Sequence, residues 1–446
     1  MELAGRRAFR PLSAETAGGL LMEERVALYD AAGRPRGTAP RSRMRAENLR
    51  HGATGVVVRD AWGRVYLHRR TDTKDVYPGR LDFTAGGVLA AGEDPEAGAR
   101  RELEEELGVA GVPLVPLGEG DYADEHTDYH AFRYTVTWSG PVRWQPEEVA
   151  WGDWVTLEDL DALLRDRPGD VMPDAAALFA DWLRARLADR RQPEQGWDCE
   201  TTFVEGRWVD RRPRRPEVAE QLRREAALLP RLADRLSLAV PRAVVLDEEP
   251  LRVRHVLVPG EQCRPAALVA ADGTAVGRFL RELHDTPPAV WASAGLRPAE
   301  QQRAWLRGQL ADLETRVLPL LPEAYRQEAA ALLADVGAPY DAVLVHGDLG
   351  PDHLLVVDGR VSGVIDWGDL HLGDAALDLA WTLHGTPPAF ADALASAYGV
   401  TAERHRRGLL WHRLGPWWEV QAGLDHLGER FVASGLAGVL ERLPSS

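Results

Sequence analysis

One stretch constrains this chain more than any other: Gly87 to Val109, GVLAAGEDPEAGARRELEEELGV. Gly92, Glu93 and Pro95 announce a turn and a helix start, and Gly108 announces a stop, so a loop should lead into one short helix. On that helix Glu102, Glu105 and Glu106 stand at i, i+3 and i+4 and share one face, while Leu103 and Leu107 point elsewhere into a core. Like charges this close repel, and no basic residue four places further on relieves them. Two readings follow: a solvated acidic face, or hard oxygen ligands gathered for Mg²⁺ or Mn²⁺. The surrounding pattern favours the second, with Arg101 placed to hold the helix against its loop.

At 446 residues the chain is too long for one typical domain, and two packed cores are expected. Its two cysteines, Cys199 and Cys263, supply neither a disulfide framework nor a Cys-type zinc site, which fits a reducing compartment. No apolar run is long enough for a signal peptide or a membrane span, so a cytoplasmic location is expected. The net charge of -16 argues against nucleic acid or an anionic membrane as partner and favours cationic small molecules. Lys74 is the single lysine among 53 basic residues, so a phosphate-gripping role beyond it falls to arginine. Nothing in the composition sets an oligomeric state.

The fixed letters of the opening stretch, Gly87, Glu93, Arg101, Glu102, Leu103, Glu105, Glu106, Gly108 and Val109, are those of the Nudix box, and the first half is identified as a member of that family. The resemblance implies an α/β/α sandwich and metal-assisted hydrolysis of a diphosphate linked to another group. It makes Glu102, Glu105 and Glu106 metal ligands, with Glu105 catalytic, and Glu148 a further ligand or general base. Read without it, Glu148 is a solvated loop glutamate. The segment Arg70 to Gly87, with Lys74, Pro78 and Gly79, resembles the isopentenyl-diphosphate isomerase branch, and Asp124 to Tyr129 is similar to that enzyme's acidic segment. Isomerisation is therefore an alternative, but its catalytic cysteine has no counterpart here. Glu125 and His126 otherwise read as a polar loop beside a strand.

In the second half, Gly196 to Val204 and RWVDRR read as strands, and Ala219, Leu222, Ala226 and Leu229 keep helical spacing after them. Arg211 and Glu225 could pair across these elements. LLVV and RVSGVI flank Asp358-Gly359, a strong hairpin signal. The hairpin's open end brings His353 and Asp366 together, with His346 and Asp348 arriving at the same edge. This arrangement resembles the aminoglycoside phosphotransferase family, relatives of protein kinases. The resemblance implies that Asp348 orients an acceptor hydroxyl as base, that Asp366 and His353 hold Mg²⁺, and that Arg211, paired with Glu225, grips nucleotide phosphate in the cofactor site. His353 replaces the usual Asn, and Arg211 the usual Lys; macrolide kinases and some aminoglycoside kinases also have His there, so the donor is ATP or GTP. His255 to Pro259 would join the lobes and meet the base. Arg278 to Asp285 reads as a packed helix without chemistry, Trp411, Trp417 and Trp418 as core, and His405, His412 and His426 as helix surface.

The expected architecture is thus α/β and α+β: a flexible start at 1–20, a Nudix domain at 21–188, a linker at 189–195 and a two-lobed kinase-like domain at 196–446. The expected activities are hydrolysis of a small-molecule diphosphate and phosphorylation of a small-molecule alcohol. The main alternative leaves the kinase-like half as a silent binding module beside a Nudix hydrolase.

Overall fold

The computed structural model describes residues 23–74, 76–192 and 198–443, so the N-terminal segment expected to be flexible lies outside it. Two compact units divide between Ala188 and Asp189.

In the first unit the strand His51–Arg59 is the spine. It pairs in parallel with Asp128–Thr137, from His51 against Tyr129 to Arg59 against Thr137, and antiparallel with Val65–Arg70 and Thr84–Ala85. Successive side chains of a strand face opposite ways, and both faces of this one are apolar. Ala53 and Val57 join Phe179, Trp182 and Leu160 on one side, while Val56 and Val58 join Leu103 and Leu107 on the other. Helices therefore cover both faces: Pro95–Leu107 on one, Leu157–Asp166 and Pro173–Ala188 on the other. The mixed α/β sandwich expected from sequence is present.

The second unit opens with a five-stranded antiparallel sheet, ordered Arg190–Arg191, Cys199–Val204, Trp208–Pro213, Leu251–Val256, Ala243–Glu248, with the helix Pro216–Ala233 packed on it. The linker expected at 189–195 contains a strand: Arg190 and Arg191 pair with Val204 and Phe203, and the Arg191 guanidinium lies over the Phe203 ring. Edge pairing of this kind needs only backbone groups, which a polar sequence does not reveal.

The rest of this unit is mainly helical and encloses two small sheets. The expected hairpin is one of them: Leu354–Val357 pairs with Arg360–Val364, and Asp358 and Gly359 both take positive φ, 50° and 73°. Trp411 and Trp417 are buried in the core of the C-terminal helices, as their spacing suggested.

The helix Ala270–His284 meets the helix Pro388–Tyr398 almost backbone to backbone. Gly273 and Gly277 make this possible: a Cβ on Gly273 would fall 2.1 Å from the Phe390 carbonyl oxygen, and one on Gly277 2.6 Å from that of Leu394. Gly273→Ala is therefore expected to destabilise the second unit by about 1–3 kcal/mol, the usual scale for overpacking, measured by chemical denaturation.

Candidate active sites

The glutamate helix forms as expected. The Asp94 side chain caps its start by accepting from the Ala97 N–H at 3.0 Å, and Gly108 ends it at φ 65°. Gly87 runs close against it, and Gly86 runs so close to the strand His51–Arg59 that only glycine fits there. A Cβ on Gly87 would sit 2.4 Å from Glu102 Oε1, and one on Gly86 would sit 2.0 Å from the Thr54 carbonyl oxygen. The Gly86 N–H donates to Glu106 Oε2 at 3.1 Å. The loop after the strand Asp128–Thr137 is tied to the helix end by Arg143 and Gln145, whose N–H groups donate to the Leu107 and Glu106 carbonyls, and it carries Glu148 toward Glu106.

Relief for the helix carboxylates comes from two cations, Arg101 one turn earlier on the helix and Lys74 from a separate segment. Arg101 donates to Glu93 at 2.9 and 3.1 Å, as its position suggested, and its Nη1 also reaches Glu102 at 2.8 Å and Glu105 at 3.1 Å. Lys74 Nζ lies 2.8 Å from Glu148 and 3.9 Å from Glu106. Burial pushes the Glu106 carboxyl well above its ordinary range; Lys74 pulls it down while Glu148 and Asp82 push further up. Glu102 is raised too, first by burial, against the pull of Arg101. Glu148 goes the other way: burial would raise it, but Lys74 wins and holds it low. As they stand, no three such side chains among the described residues close around one point. The donors nonetheless fit a hard divalent cation, being carboxylate oxygens whose mutual repulsion an ion would relieve.

In the second unit the hairpin delivers its end residues as expected. His353 Nδ1 lies 2.6 Å from the Asp348 carbonyl oxygen and must donate to it, which turns Nε2 toward Asp366 Oδ2 at 3.6 Å and Asp352 Oδ2 at 3.7 Å. That is the orientation of a metal-binding histidine, one nitrogen anchored on a carbonyl and the other facing the ion's place. Asp366 itself sits at φ 65°, a left-handed backbone that aspartate tolerates better than most residues. Asp348 is raised by burial and by Asp369, Asp366 and Asp352, with His353 opposing. Across the cleft, Arg211 Nη1 donates to Glu225 at 3.1 and 3.3 Å. Arg211, Glu225, His255 and Asp366 line one cavity of about 760 Å³ beside Leu257 and Val258.

A support lies beneath that was not read from the sequence. Buried Asp378 accepts the N–H of His346 at 2.8 Å and that of Gly347 at 2.9 Å, fixing the loop that holds Asp348. His284 bridges Asp378 and the Tyr398 hydroxyl, at 3.1 and 2.8 Å. The helix read as chemically idle thus props the Asp348 loop from behind. An acid inside the apolar run AALDLAW was the available signal, since a buried carboxylate needs partners. His412, read as helix surface, is partly buried against His384. Glu125 and His126 lie in a short loop between strands, as expected.

Comparison with known proteins gives both halves a lineage. The NUDIX domain family matches residues 49–175, and the Phosphotransferase enzyme family matches residues 189–411. The Nudix hydrolase orf19 of Rhodococcus erythropolis is 41% identical over 170 residues, covering 36% of this chain and 92% of that protein. The Nudix hydrolase YfcD of Escherichia coli K12 is 41% identical over 146 residues, covering 33% and 79%. Among solved structures, the GDP complex of wild-type aminoglycoside 2'-phosphotransferase-IIIa superposes with a TM-score of 0.50 at 22% identity, covering 60% of this chain and 97% of that one. The GDP and kanamycin complex of APH(2")-IIia gives 0.51 at 21%, covering 59% and 97%. These two structures share the fold. The chain therefore belongs to two enzyme families in succession. Its first unit is a Nudix domain, and its second is a member of the phosphotransferase family.

Lys74→Met leaves Glu106 and Glu148 facing each other without a cation. The variant is expected to lose about 1–3 kcal/mol of first-unit stability in chelator, read as a lower midpoint in urea.

Proposed function

We propose that the chain is a bifunctional enzyme. Its first unit hydrolyses a diphosphate linked to another group, and its second transfers a phosphoryl group from a nucleotide to the hydroxyl of a small molecule. The observation that carries this reading is that neither cleft has lost its charged set. Glu106 accepts the Gly86 N–H, Glu102 lies against Gly87, Arg101 joins Glu102 to Glu105, and Lys74 joins Glu148 to Glu106, while His353 links the Asp348 loop to Asp366, which lines one cavity with Arg211 and Glu225. A relic would be expected to lose such residues first, because they destabilise a fold that does not use them.

A divalent cation, held by Glu102, Glu105 and Glu106 in one unit and by His353 and Asp366 in the other, would supply neutralisation of phosphoryl oxygens. Glu105 belongs to the first set as its catalytic member. Glu148, kept ionised by Lys74, is the group suited to take a proton from the attacking water. In the second cleft Asp348 orients the acceptor hydroxyl and takes its proton, and Arg211 grips the donor's phosphates. The phosphotransferase solved with GDP and kanamycin makes GTP a donor to try beside ATP, and a cationic acceptor suits the chain's acidity.

The second reading, a silent kinase-like module that only binds, is motivated by His353 and Arg211. Isomerisation has less support, since both cysteines lie in the second unit.

The two activities should separate by single substitutions. Glu105→Gln is expected to cut release of phosphate products from diphosphate compounds by roughly 100-fold while leaving nucleotide consumption intact, and Asp348→Asn to do the reverse. Tight nucleotide binding with no transfer to any alcohol would favour the silent module. Hydrolysis untouched by Glu105→Gln would remove the first assignment.

A further inference from the structure

Arg211 stands where lysine is expected, and it is held unlike most arginines that face a carboxylate. Arginine commonly lays two nitrogens against two oxygens, side by side. Here Nη1 alone reaches both oxygens of Glu225, at 3.3 Å from Oε1 and 3.1 Å from Oε2. The other approach to Oε2 is already taken, for His255 Nε2 lies 2.9 Å from it and must donate, a carboxylate being acceptor only.

This geometry is fixed by the fold. Glu225 and His255 are both buried, and His255 sits on the strand next to Arg211's own, with Val209 opposite His255 and Arg211 opposite Val253. The imidazole is a poor choice for packing alone. Its Nδ1 is buried with no partner among the described residues, a cost that leucine or phenylalanine at the same place would avoid. What histidine offers instead is the Nε2–H on Glu225. The Cys199 thiol is a further, weak neighbour of the guanidinium.

We infer that His255 is a positioning residue for Arg211: its bond to Oε2 fixes the Glu225 carboxylate in the orientation in which Nη1 alone meets both oxygens, so the arginine stands end-on and keeps nitrogens for the nucleotide's phosphate. Lysine needs no such help, because its ammonium is a point charge that can bridge a glutamate and a phosphate together. His255 and Arg211 are then one device, an arginine made to act as lysine does. This rests on reading the cleft as a nucleotide site.

The test is a double-mutant cycle on the full chain, read by calorimetric titration with ADP and with GDP in the presence of Mg²⁺. His255→Leu is expected to weaken binding about 10-fold when Arg211 is present and less than about twofold in the Arg211→Lys background, while His255→Gln, which keeps a donor at the same reach, binds like the parent. If His255→Leu does not fold, His255→Met carries the same comparison, with melting followed for every variant. Equal losses in both backgrounds would mean a purely structural histidine and overturn the inference, as would no loss in either, or no binding of either nucleotide by the parent. Failure to phosphorylate any acceptor would sink the kinase reading and leave the cycle untouched, because the cycle reads binding alone.

Discussion

Both clefts depend on where positive charge comes from when carboxylates are drawn out of water. A buried carboxylate is tolerated only when protonated, paired or bonded, and each cleft brings several together. In the first, Arg101 spans Glu93, Glu102 and Glu105, and Lys74 serves Glu106 and Glu148. In the second, Arg211 and His255 share Glu225, while His353 faces Asp366 and Asp352. The chain's own cations thus keep each acid set assembled.

The secondary elements were legible wherever local chemistry decides them. The glutamate helix is bounded by Asp94, Pro95 and Gly108, and the hairpin by Asp358-Gly359, each a matter of a few adjacent residues. The shared face of Glu102, Glu105 and Glu106 and the meeting of His353 with Asp366 follow from helical period and strand pairing. What stayed hidden are partnerships across long separations. Lys74 finding Glu148, His284 finding Asp378 and His255 finding Glu225 depend on which elements pack together, and no periodicity records that. Arg101 relieves Glu105 from four places before it on the same helix, but Lys74 comes from another segment and no helical spacing points to it. The Arg190–Arg191 strand was hidden for a related reason, since edge pairing uses the backbone and leaves side chains free to be polar.

The support beneath the second cleft shows how a packing motif and the loop at Asp348 become one object. Gly273 and Gly277 let two helices touch, and those helices carry His284 and Tyr398. These two side chains meet Asp378, whose oxygens fasten the backbone at His346 and Gly347. Polar groups buried in this way are each satisfied by another, so the loop's position is specified by bonds as well as by shape.

An almost complete preference for arginine leaves this polypeptide with one side-chain amine, and the fold has placed it inside an acidic pocket. Apart from the amino terminus, reagents or modifying enzymes that seek primary amines find a lone target, screened by its carboxylate partners. Acylating it would erase the charge that Glu106 and Glu148 share, so the labelling of a single atom becomes a direct gauge of whether that pocket is open, occupied or closed.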